Sequence, residues 1–322
     1  MHHITVTSTG GPEVLGWAES EDPAPGPEDL LVRVDVAGVN YIDTYQRSGL
    51  YPMDLPFTPG LEGCGEIAAL GANVDSFDIG QRVAWTGVLG SYAELVVLPV
   101  AKAVAVPDVI ASDVAGAVML QGITAHYLVS DTYPLAKHER CLIHAGAGGV
   151  GRLLIQLAKA KGAEVFATAG GEEKVAIAEA AGADHVIDYT IADFRGSIEA
   201  LAGPHPLHVV YDGVGAATFD SGLDLLRPRG TMVAFGNASG LVPPIDPRRL
   251  MTGGSLYVTR PTMGDYLAGP DELRSRTSEL FSAIEAGNLD VLIGSRFPLR
   301  EAGDAHRALE GRQTVGKVLL VV

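Results

Sequence analysis

Residues 141–162 read CLIHAGAGGVGRLLIQLAKAKG, and this stretch decides the fold. The first five residues are apolar and bounded by glycine, which is typical of a central parallel strand. Gly146, Gly148 and Gly151 match G-x-G-x-x-G, in which glycine permits a tight turn, close approach to a pyrophosphate, and helix packing against a strand. Apolar residues then recur at helical spacing, at Val150, Leu153, Leu154, Leu157 and Ala158. The stretch predicts a strand, a turn and a helix whose positive N-terminal end faces a dinucleotide.

An ordinary glycine-rich loop is the alternative to this interpretation, since the chain holds 40 glycines in 322 residues. The surrounding pattern favours the dinucleotide site. Before residue 124, short alternating segments such as 30–36, 65–70 and 91–98 are separated by proline and glycine, which indicates a β-rich domain. From residue 124 to 260, strands alternate with helices, which predicts a doubly wound parallel sheet. After Pro270, one helix (272–287) and the closing strand KVLLVV have no partner of their own, and we expect them to return to the first domain.

Composition excludes several classes of protein. A hydrophobic content of 47% with 19% charged residues indicates a globular chain. The formal charge of −16 makes nucleic acid or an anionic membrane an unfavourable main partner, so an anionic cofactor would need its own local cations. Cys64 and Cys141 lie far apart in apolar or glycine-rich surroundings typical of reduced thiols. With no signal pattern and no apolar run long enough to span a membrane, we expect a soluble, cytoplasmic protein.

The end of the second strand of the parallel sheet bears on the choice of nicotinamide cofactor. An NAD site usually places Asp or Glu about 20 residues beyond the first glycine, where the carboxylate binds the ribose hydroxyls. Counting from Gly146 reaches residues 166–168, which contain no acid, and Lys174 follows one turn into the next helix. This pattern favours NADPH over NADH. Glu172 and Glu173 leave the choice open, because they could either cap the helix or reach a ribose.

The arrangement resembles the medium-chain dehydrogenase/reductase superfamily, and more narrowly its zinc-free quinone oxidoreductase (zeta-crystallin-like) branch, in which the bacterial NADPH-dependent quinone reductases are most similar. The matching segments run through the whole chain: GGPEVL at 11–16, GVNYIDTYQRSGLYP at 38–52, PFTPGLEGCGEI at 56–67, GQRV at 80–83, AGAGGVG at 145–151, VVYDGVG at 209–215, GTMVAFGNASG at 230–240 and GSLYVTRP at 254–261. The resemblance implies an α/β protein with a GroES-like β-rich catalytic domain (1–123 and 263–322) and a Rossmann NADPH-binding domain (124–262).

The chain lacks the metal ligands of the zinc alcohol dehydrogenases that belong to the same superfamily. Asn40 and Leu61 occupy the positions of a cysteine and a histidine, and no cysteine stands near Leu120 or Gln121. The segment 85–92 is short and has no thiol, so a structural zinc lobe is absent as well. Because zinc needs three or four converging Cys, His or carboxylate ligands, we predict no metal.

Without a Lewis acid, the substrate must already be ready to accept hydride, as quinones and activated enones are. The protein would contribute proximity, exclusion of water and hydrogen bonds to the carbonyl that gains charge. The resemblance implies Asn40, Tyr45 and Tyr51 for that role, with Asp43 orienting the loop. Each tyrosine has an alternative interpretation as a core or rim aromatic with a satisfied hydroxyl. Because a hydroquinone anion can take its proton from solvent, single substitutions should weaken turnover without abolishing it.

The resemblance also implies positions for the cofactor, which we expect to be NADPH. Gly146, Gly148, Gly149 and Val150 would hold the pyrophosphate, and Gly170 would approach the adenosine ribose. Asn40, Phe235, Gly236 and Asn237 would lie on the nicotinamide side. Lys174, Tyr189 and Arg312 match the family's contacts to the 2′-phosphate. The roles of Gln121 and His126 stay open.

Two further questions concern partners and competing functions. The edge strand 255–260 invites pairing with a second copy, and the family resemblance implies a homodimer, while an edge covered by the C-terminal helix is the alternative. The same scaffold supports NADPH-dependent enone or alkenal double-bond reductases, and some relatives are structural lens proteins or bind nucleic acid. The acidic composition and the complete cofactor site disfavour those non-enzymatic roles.

Overall fold

A computed structural model describes all residues of the chain, Met1–Val322. The chain divides into two compact units, Met1–Ile123 together with Leu267–Val322, and Thr124–Tyr266. Residues 263–266, which the sequence assigns to the first domain, therefore belong to the second unit. No helix combines the length and the apolar character needed to cross a membrane.

The strands are β1 (His2–Val6), β2 (Leu15–Glu19), β3 (Asp29–Val39), β4 (Glu62–Leu70), β5 (Arg82–Thr86), β6 (Leu95–Pro99), β7 (Val104–Ala105), β8 (Arg140–Ile143), β9 (Glu164–Ala169), β10 (His185–Asp188), β11 (Leu207–Asp212), β12 (Leu226–Ala234), β13 (Tyr257–Thr259), β14 (Ile293–Pro298) and β15 (Lys317–Val321). The helices are α1 (Tyr41–Ser48), α2 (Ser112–Tyr127), α3 (Gly149–Ala160), α4 (Glu172–Ala180), α5 (Phe194–Ala202), α6 (Phe219–Asp224), α7 (Pro247–Thr252), α8 (Pro270–Glu285) and α9 (Ala302–Glu310). A π-helical turn, Leu128–Thr132, follows α2.

The first unit is built around a seven-stranded sheet with the order β14-β15-β3-β4-β5-β7, in which β6 also pairs with β3. The closing strand β15 runs antiparallel to β3, with Val318 opposite Val39. Alternate residues of these strands point into one apolar core that includes Val32, Ile67 and Leu320. This register brings the first residue of β15, Lys317, to the end of β3 from which α1 begins.

The second unit contains six parallel strands in the order β10-β9-β8-β11-β12-β13. The predicted doubly wound parallel sheet is therefore confirmed. The first strand, β8, lies in the middle, and the strand order reverses between β8 and β11. In sheets of this kind, ligands bind outside the carboxyl ends of the strands at such a reversal.

Several element boundaries differ from the sequence pattern. The segment predicted as a strand over 91–98 pairs as β6 only from Leu95, because its earlier residues bond to β1, with Glu94 N donating to His2 O. The helix α6 ends at Asp224, since Leu226 already pairs with Leu207 as the start of β12. The edge strand β13 is shorter than the alternating segment 255–260.

Candidate active site

The glycine turn lies between β8 and α3, at the carboxyl edge of the parallel sheet. A Cβ atom on Gly151 would lie under 3.0 Å from the carbonyl oxygen of Ala145, so no side chain fits there. A Cβ on Gly146 would lie 3.1 Å from the Cβ of Ala167 on β9 and 3.2 Å from that of Ala178 on α4. These contacts hold the first turn of α3 against the turn that follows β8, and the first backbone N–H groups of a helix lack helical acceptors. The turn thus has the geometry of a pyrophosphate cradle.

The residues predicted for the adenosine end lie where β9 and β10 finish side by side. Asp188 pairs with Ala169, so Gly170 and Tyr189 follow neighbouring strand ends. A Cβ on Gly170 would lie 2.6 Å from the hydroxyl of Tyr189, which shows that the structure brings these two residues together. Lys174 lies in the first turn of α4, within the same unit. Arg312 belongs to the first unit, just beyond α9.

The strand end expected to influence the choice of cofactor holds Phe166, Ala167 and Thr168, which are buried in β9, and none of them is an acid. Sequence reasoning missed Asp188, whose carboxylate lies at the end of the next strand. Its Oδ1 accepts from Gly171 N at 3.1 Å and from Thr190 N at 2.9 Å. These hydrogen bonds, with that of the Thr190 hydroxyl as the strongest cause, lower the pKa of Asp188. The carboxylate oxygen is therefore occupied in fixing the turn before α4.

The segment predicted for the nicotinamide side, residues 235–237, follows β12. A Cβ on Gly236 would lie under 3.0 Å from the carbonyl oxygen of Gly213, so this position also excludes a side chain. Arg260 Nη1 donates to the carbonyl oxygens of Ala234 and Gly236, both at 3.0 Å. With the amide oriented to satisfy both neighbours, Asn237 Oδ1 accepts from Arg260 Nη2 at 2.9 Å. Arg260, which the sequence did not single out, clamps this loop.

The predicted catalytic segment forms the end of β3 and the helix α1. Asn40 precedes the first residue of α1, and its backbone N–H donates to Asp43 Oδ2 at 2.8 Å. The rings of Tyr45 and Tyr51 meet edge to face with centroids 5.3 Å apart, and Tyr51 N donates to the carbonyl oxygen of Tyr45 at 3.0 Å. Tyr45 is buried, whereas Tyr51 is half-buried. The structure therefore brings the two tyrosines together, while Asn40 belongs to a separate group of side chains.

Asn40 lies in a buried polar group with Glu62 and Lys317, whose side chains are 0% and 1% exposed. Lys317 Nζ donates to Asn40 Oδ1 at 2.9 Å and pairs with Glu62 Oε1. Asn40 Nδ2 donates to Glu62 Oε1 at 2.7 Å and, at 3.4 Å, to the carbonyl oxygen of Gly38. Gln121 Nε2 donates to Asn40 Oδ1 at 3.2 Å. Both hydrogens of the Asn40 amide are thus already directed at acceptors of the protein.

A second buried group supports the first turns of α1. The Tyr92 hydroxyl donates to Asp43 Oδ2 at 2.9 Å and lies 3.1 Å from His306 Nε2. His306 Nδ1 lies 3.1 Å from Arg47 Nη1, and Arg47 forms a two-pronged ion pair with Glu310. Burial raises the pKa of Asp43 to about 7, and burial followed by the nearby Arg47 charge lowers the pKa of His306 to about 3. The expected orienting role of Asp43 agrees with this hydrogen bonding.

The positions of the zinc ligands in zinc alcohol dehydrogenases are occupied here by residues that do not bind zinc. No group of three or more His, Cys, Asp or Glu side chains could hold a metal ion anywhere in the chain. Asn40 and Gln121 are joined by a hydrogen bond, and Leu120 N donates to Glu62 Oε2 at 2.6 Å. Cys64 and Cys141 are buried free thiols, and burial raises the pKa of Cys64 to about 12. The donor set at this place does not fit zinc.

Sequence reasoning missed Glu62 and Lys317. The available signal was residue type: Lys317 is the one charged residue of β15, and β4 holds two glutamates, Glu62 and Glu66, of which Glu62 is the buried one. Charged side chains are almost never fully buried unless they are paired, so two such strands should contain partners for one another.

Comparisons with known proteins agree with both units. Residues 26–108 match the family model described as alcohol dehydrogenase GroES-like domain, and residues 149–282 match the model described as zinc-binding dehydrogenase. The chain belongs to the medium-chain dehydrogenase/reductase superfamily, and the predicted combination of a GroES-like domain with a Rossmann domain is confirmed. Within the superfamily it falls in the quinone oxidoreductase branch.

Three relatives illustrate this assignment. A quinone oxidoreductase of Pseudomonas aeruginosa is 44% identical over 99% of this chain and 98% of its own length. The solved structure of Escherichia coli quinone oxidoreductase complexed with NADPH is 39% identical, with a TM-score of 0.97 over 100% of both chains. A 2-haloacrylate reductase of a Burkholderia species is 37% identical over 97% of this chain and 96% of its own.

Proposed function

We propose that this chain is an NADPH:quinone oxidoreductase that transfers hydride to quinones without a metal. The observation that carries the proposal is a glycine turn between β8 and α3 with no room for a side chain at Gly151, in a chain whose zinc-ligand positions are filled by Asn40, Leu61 and Gln121. The relatives described as quinone oxidoreductases support the same substrate class. Without zinc to polarise an alcohol, a substrate that is already electron-poor fits this site best.

NADPH is the proposed reductant, and it supplies a hydride, that is, a proton with two electrons. Gly146, Gly148, Gly149 and Val150 would hold its pyrophosphate, and Gly170 would adjoin the adenosine ribose. Asn40, Phe235, Gly236 and Asn237 are proposed for the nicotinamide. A side chain has no room at Gly151 or Gly236 and little room at Gly146, which supports this placement, because backbone groups can then reach the cofactor. The E. coli relative was solved with NADPH bound.

Lys174, Tyr189 and Arg312 are proposed to distinguish NADPH from NADH by contacting the 2′-phosphate. The test is the double substitution Lys174→Ala with Arg312→Ala, which removes two cations. The KM for NADPH should rise at least ten-fold while the KM for NADH changes less than two-fold, because NADH has no phosphate at that place. Equal changes for the two cofactors would refute the assignment.

The reaction would combine NADPH, a proton and a quinone to give NADP⁺ and a hydroquinone. The chain's residues would bind and orient both partners, exclude water and stabilise the carbonyl oxygen as it gains charge. Asn40, Tyr45 and Tyr51 are proposed for the substrate side, Asn40 through its position there, since its amide hydrogens are directed at Glu62 and Gly38. Since the proton can come from solvent, Tyr51→Phe should lower kcat without abolishing it, and complete loss of turnover would contradict this mechanism.

A second candidate is an NADPH-dependent reductase of activated carbon–carbon double bonds, which the likeness to a 2-haloacrylate reductase favours. Such an enzyme must deliver a proton to carbon, whereas a quinone reductase needs no such group. Rates of NADPH oxidation with benzoquinone, naphthoquinones, short enals and 2-haloacrylates separate the two functions. The first proposal predicts quinones at the highest kcat/KM, and a preference for the double-bond substrates would favour the second.

For partners, we propose a homodimer formed through β13, the edge strand of the parallel sheet. The strand ends the sheet, and Tyr257 on it is exposed. The net charge of −16 supports a cytoplasmic enzyme of small molecules over one that binds nucleic acid or anionic membranes.

A further inference from the structure

The buried ion pair of Glu62 and Lys317 lies beside a predicted catalytic residue, and nothing in the proposed reaction has yet used it. Its two members come from β4 and β15, and removing such charges from water costs several kcal/mol each unless every charge is compensated. Glu62 meets that condition, since its oxygens accept from Lys317 Nζ, Asn40 Nδ2 and Leu120 N. Two glycines allow the close packing around this group.

Gly38 lies against the carboxylate itself, and Gly116 lies where α2 packs on β3 and β4. A Cβ on Gly38 would lie under 3.0 Å from the Glu62 carboxylate. A Cβ on Gly116 would lie 2.6 Å from Val36 and 3.2 Å from the backbone nitrogen of Cys64. Helix α2 therefore packs closely on β4, and this contact brings Leu120 and Gln121 to Glu62 and Asn40.

The ion pair fixes which way the Asn40 amide points. A lysine ammonium only donates hydrogen bonds, and a carboxylate only accepts them. The amide oxygen must therefore face Lys317 and the amide nitrogen must face Glu62, as observed. The reversed amide would place donor against donor and acceptor against acceptor.

The orientation of Asn40 then fixes that of Gln121. Because Asn40 Oδ1 is an acceptor, the Gln121 group next to it is Nε2, at 3.2 Å. An amide nitrogen has two hydrogens, and the second hydrogen of Gln121 has no acceptor within the protein. Asn40, Glu62 and Lys317 are buried, whereas Gln121 is partly exposed. In this group, the hydrogen that remains for a ligand is therefore the second one on Gln121 Nε2.

We propose that the Gln121 amide donates a hydrogen bond to the substrate carbonyl oxygen, and that Asn40, Glu62 and Lys317 are positioning residues for it. The inference rests on the proposed quinone reduction and names a donor for it. As hydride and its electron pair enter the substrate, negative charge grows on the carbonyl oxygen, the Gln121 N–H···O bond strengthens, and a solvent proton then completes the hydroquinone. NADPH is oxidised and the quinone is reduced by two electrons.

The first test is Gln121→Leu, assayed on quinones whose ring substituents vary the basicity of the carbonyl oxygen. A lost hydrogen bond to developing charge should lower kcat about ten-fold or more for electron-rich methylated benzoquinones. The loss should be smaller for electron-poor halogenated benzoquinones, because their oxygens gain less basic charge. The KM for NADPH should change less than two-fold. Gln81→Leu, on a residue whose side chain accepts only from Asp78 N, is the matched control and should leave every rate unchanged.

The second test separates positioning from folding. Lys317→Met alone leaves the Glu62 charge buried and unpaired, which should lower stability. Adding Glu62→Gln removes that charge, so the double variant should regain most of the wild-type stability. If the pair positions Gln121, the double variant should still show the reduced kcat and the substituent dependence of Gln121→Leu. A purely structural pair would instead recover kcat together with stability.

The outcomes are distinct. If the wild-type protein reduces quinones and Gln121→Leu reduces the whole series at unchanged or equally lowered rates, the role of Gln121 is refuted while the proposed function stands. If the wild-type protein reduces none of the quinones, the proposed function itself fails.

Discussion

At the scale of single residues, Gly151 is a position in the glycine turn where a side chain has no room. Gly151→Ala would place a Cβ under 3.0 Å from the Ala145 carbonyl oxygen, in backbone that cannot move aside without separating α3 from β8. We expect a loss of about 1–3 kcal/mol in the free energy of unfolding and a Kd for NADPH at least ten-fold higher, because the cradle is displaced. Urea unfolding and fluorescence titration measure the two effects.

Gly264→Ala is the matched control, since a Cβ at Gly264 meets nothing within 4 Å and the residue lies in the same unit. It should leave both quantities within error of the wild type. A Gly151→Ala protein with wild-type stability and NADPH affinity would show that the turn does not carry the cofactor.

Asp43 and His306, joined through Tyr92, are expected to give opposite pH dependences of stability. The pKa of Asp43 rises from 3.8 to about 7 on folding, so its contribution is lost as pH increases through that range. The pKa of His306 falls from 6.5 to about 3, so its contribution is lost as pH decreases below 6.5. The two slopes, at most about 1.4 kcal/mol per pH unit each, oppose one another in the wild type.

Substitution of either member should reveal the slope of the other. Relative to wild type, the free energy of unfolding of His306→Gln should fall as pH rises from about 4 to about 7, and that of Asp43→Asn should fall as pH drops over the same range. Urea unfolding at closely spaced pH values measures both. Parallel pH profiles for the two variants would contradict the assignment of opposite shifts.

The chemistry of single residues could be predicted only in part. Asn40, Tyr45 and Tyr51 stand in one short segment, so a motif reveals them together. Glu62 and Lys317 are separated by 255 residues and meet only because β15 pairs with β3 beside β4. Sequence spacing carries no information about such a contact. It also cannot reveal the direction of the Asn40 amide, which depends on both charges.

At the scale of elements, the parallel sheet was predictable because each strand is apolar and each connection contains a helix. The strand boundaries were less predictable. Pro228 and two arginines follow Leu226 closely, yet β12 begins at Leu226 because this residue is buried and pairs with Leu207. Likewise, the residues before β6 read as a strand, but their backbone groups bond to β1. Burial and long-range pairing override local patterns at these places.

The edge strand β13 gives a prediction about assembly. Thr259→Pro removes one backbone donor, and Tyr257→Lys places a charge on the edge, a change that natural edge strands use to prevent pairing. We expect the double variant to sediment as a monomer while the wild type sediments as a dimer. Analytical ultracentrifugation provides the measurement, and Met251→Lys, an exposed residue on the preceding helix α7, is the control. A wild-type monomer, or a variant that remains dimeric, would exclude pairing through β13.

At the scale of the whole molecule, the chain has the glycine turn proposed to hold the dinucleotide in one unit and the polar group of Asn40, Glu62, Gln121 and Lys317 in the other. The family model for residues 149–282 is described as zinc-binding dehydrogenase, yet the ligand positions of this chain hold an amide, a leucine and a second amide. Membership of the superfamily therefore defines the fold, and the side chains at these positions define the reaction.

The most direct test of the account is the rate of NADPH oxidation by 1,4-benzoquinone, measured on protein dialysed exhaustively against a chelator and checked for metal content by mass spectrometry. We predict full turnover at far less than one metal ion per chain, with one hydroquinone formed per NADPH consumed and no gain on adding zinc. Turnover that disappears on dialysis and returns with stoichiometric zinc would contradict the account.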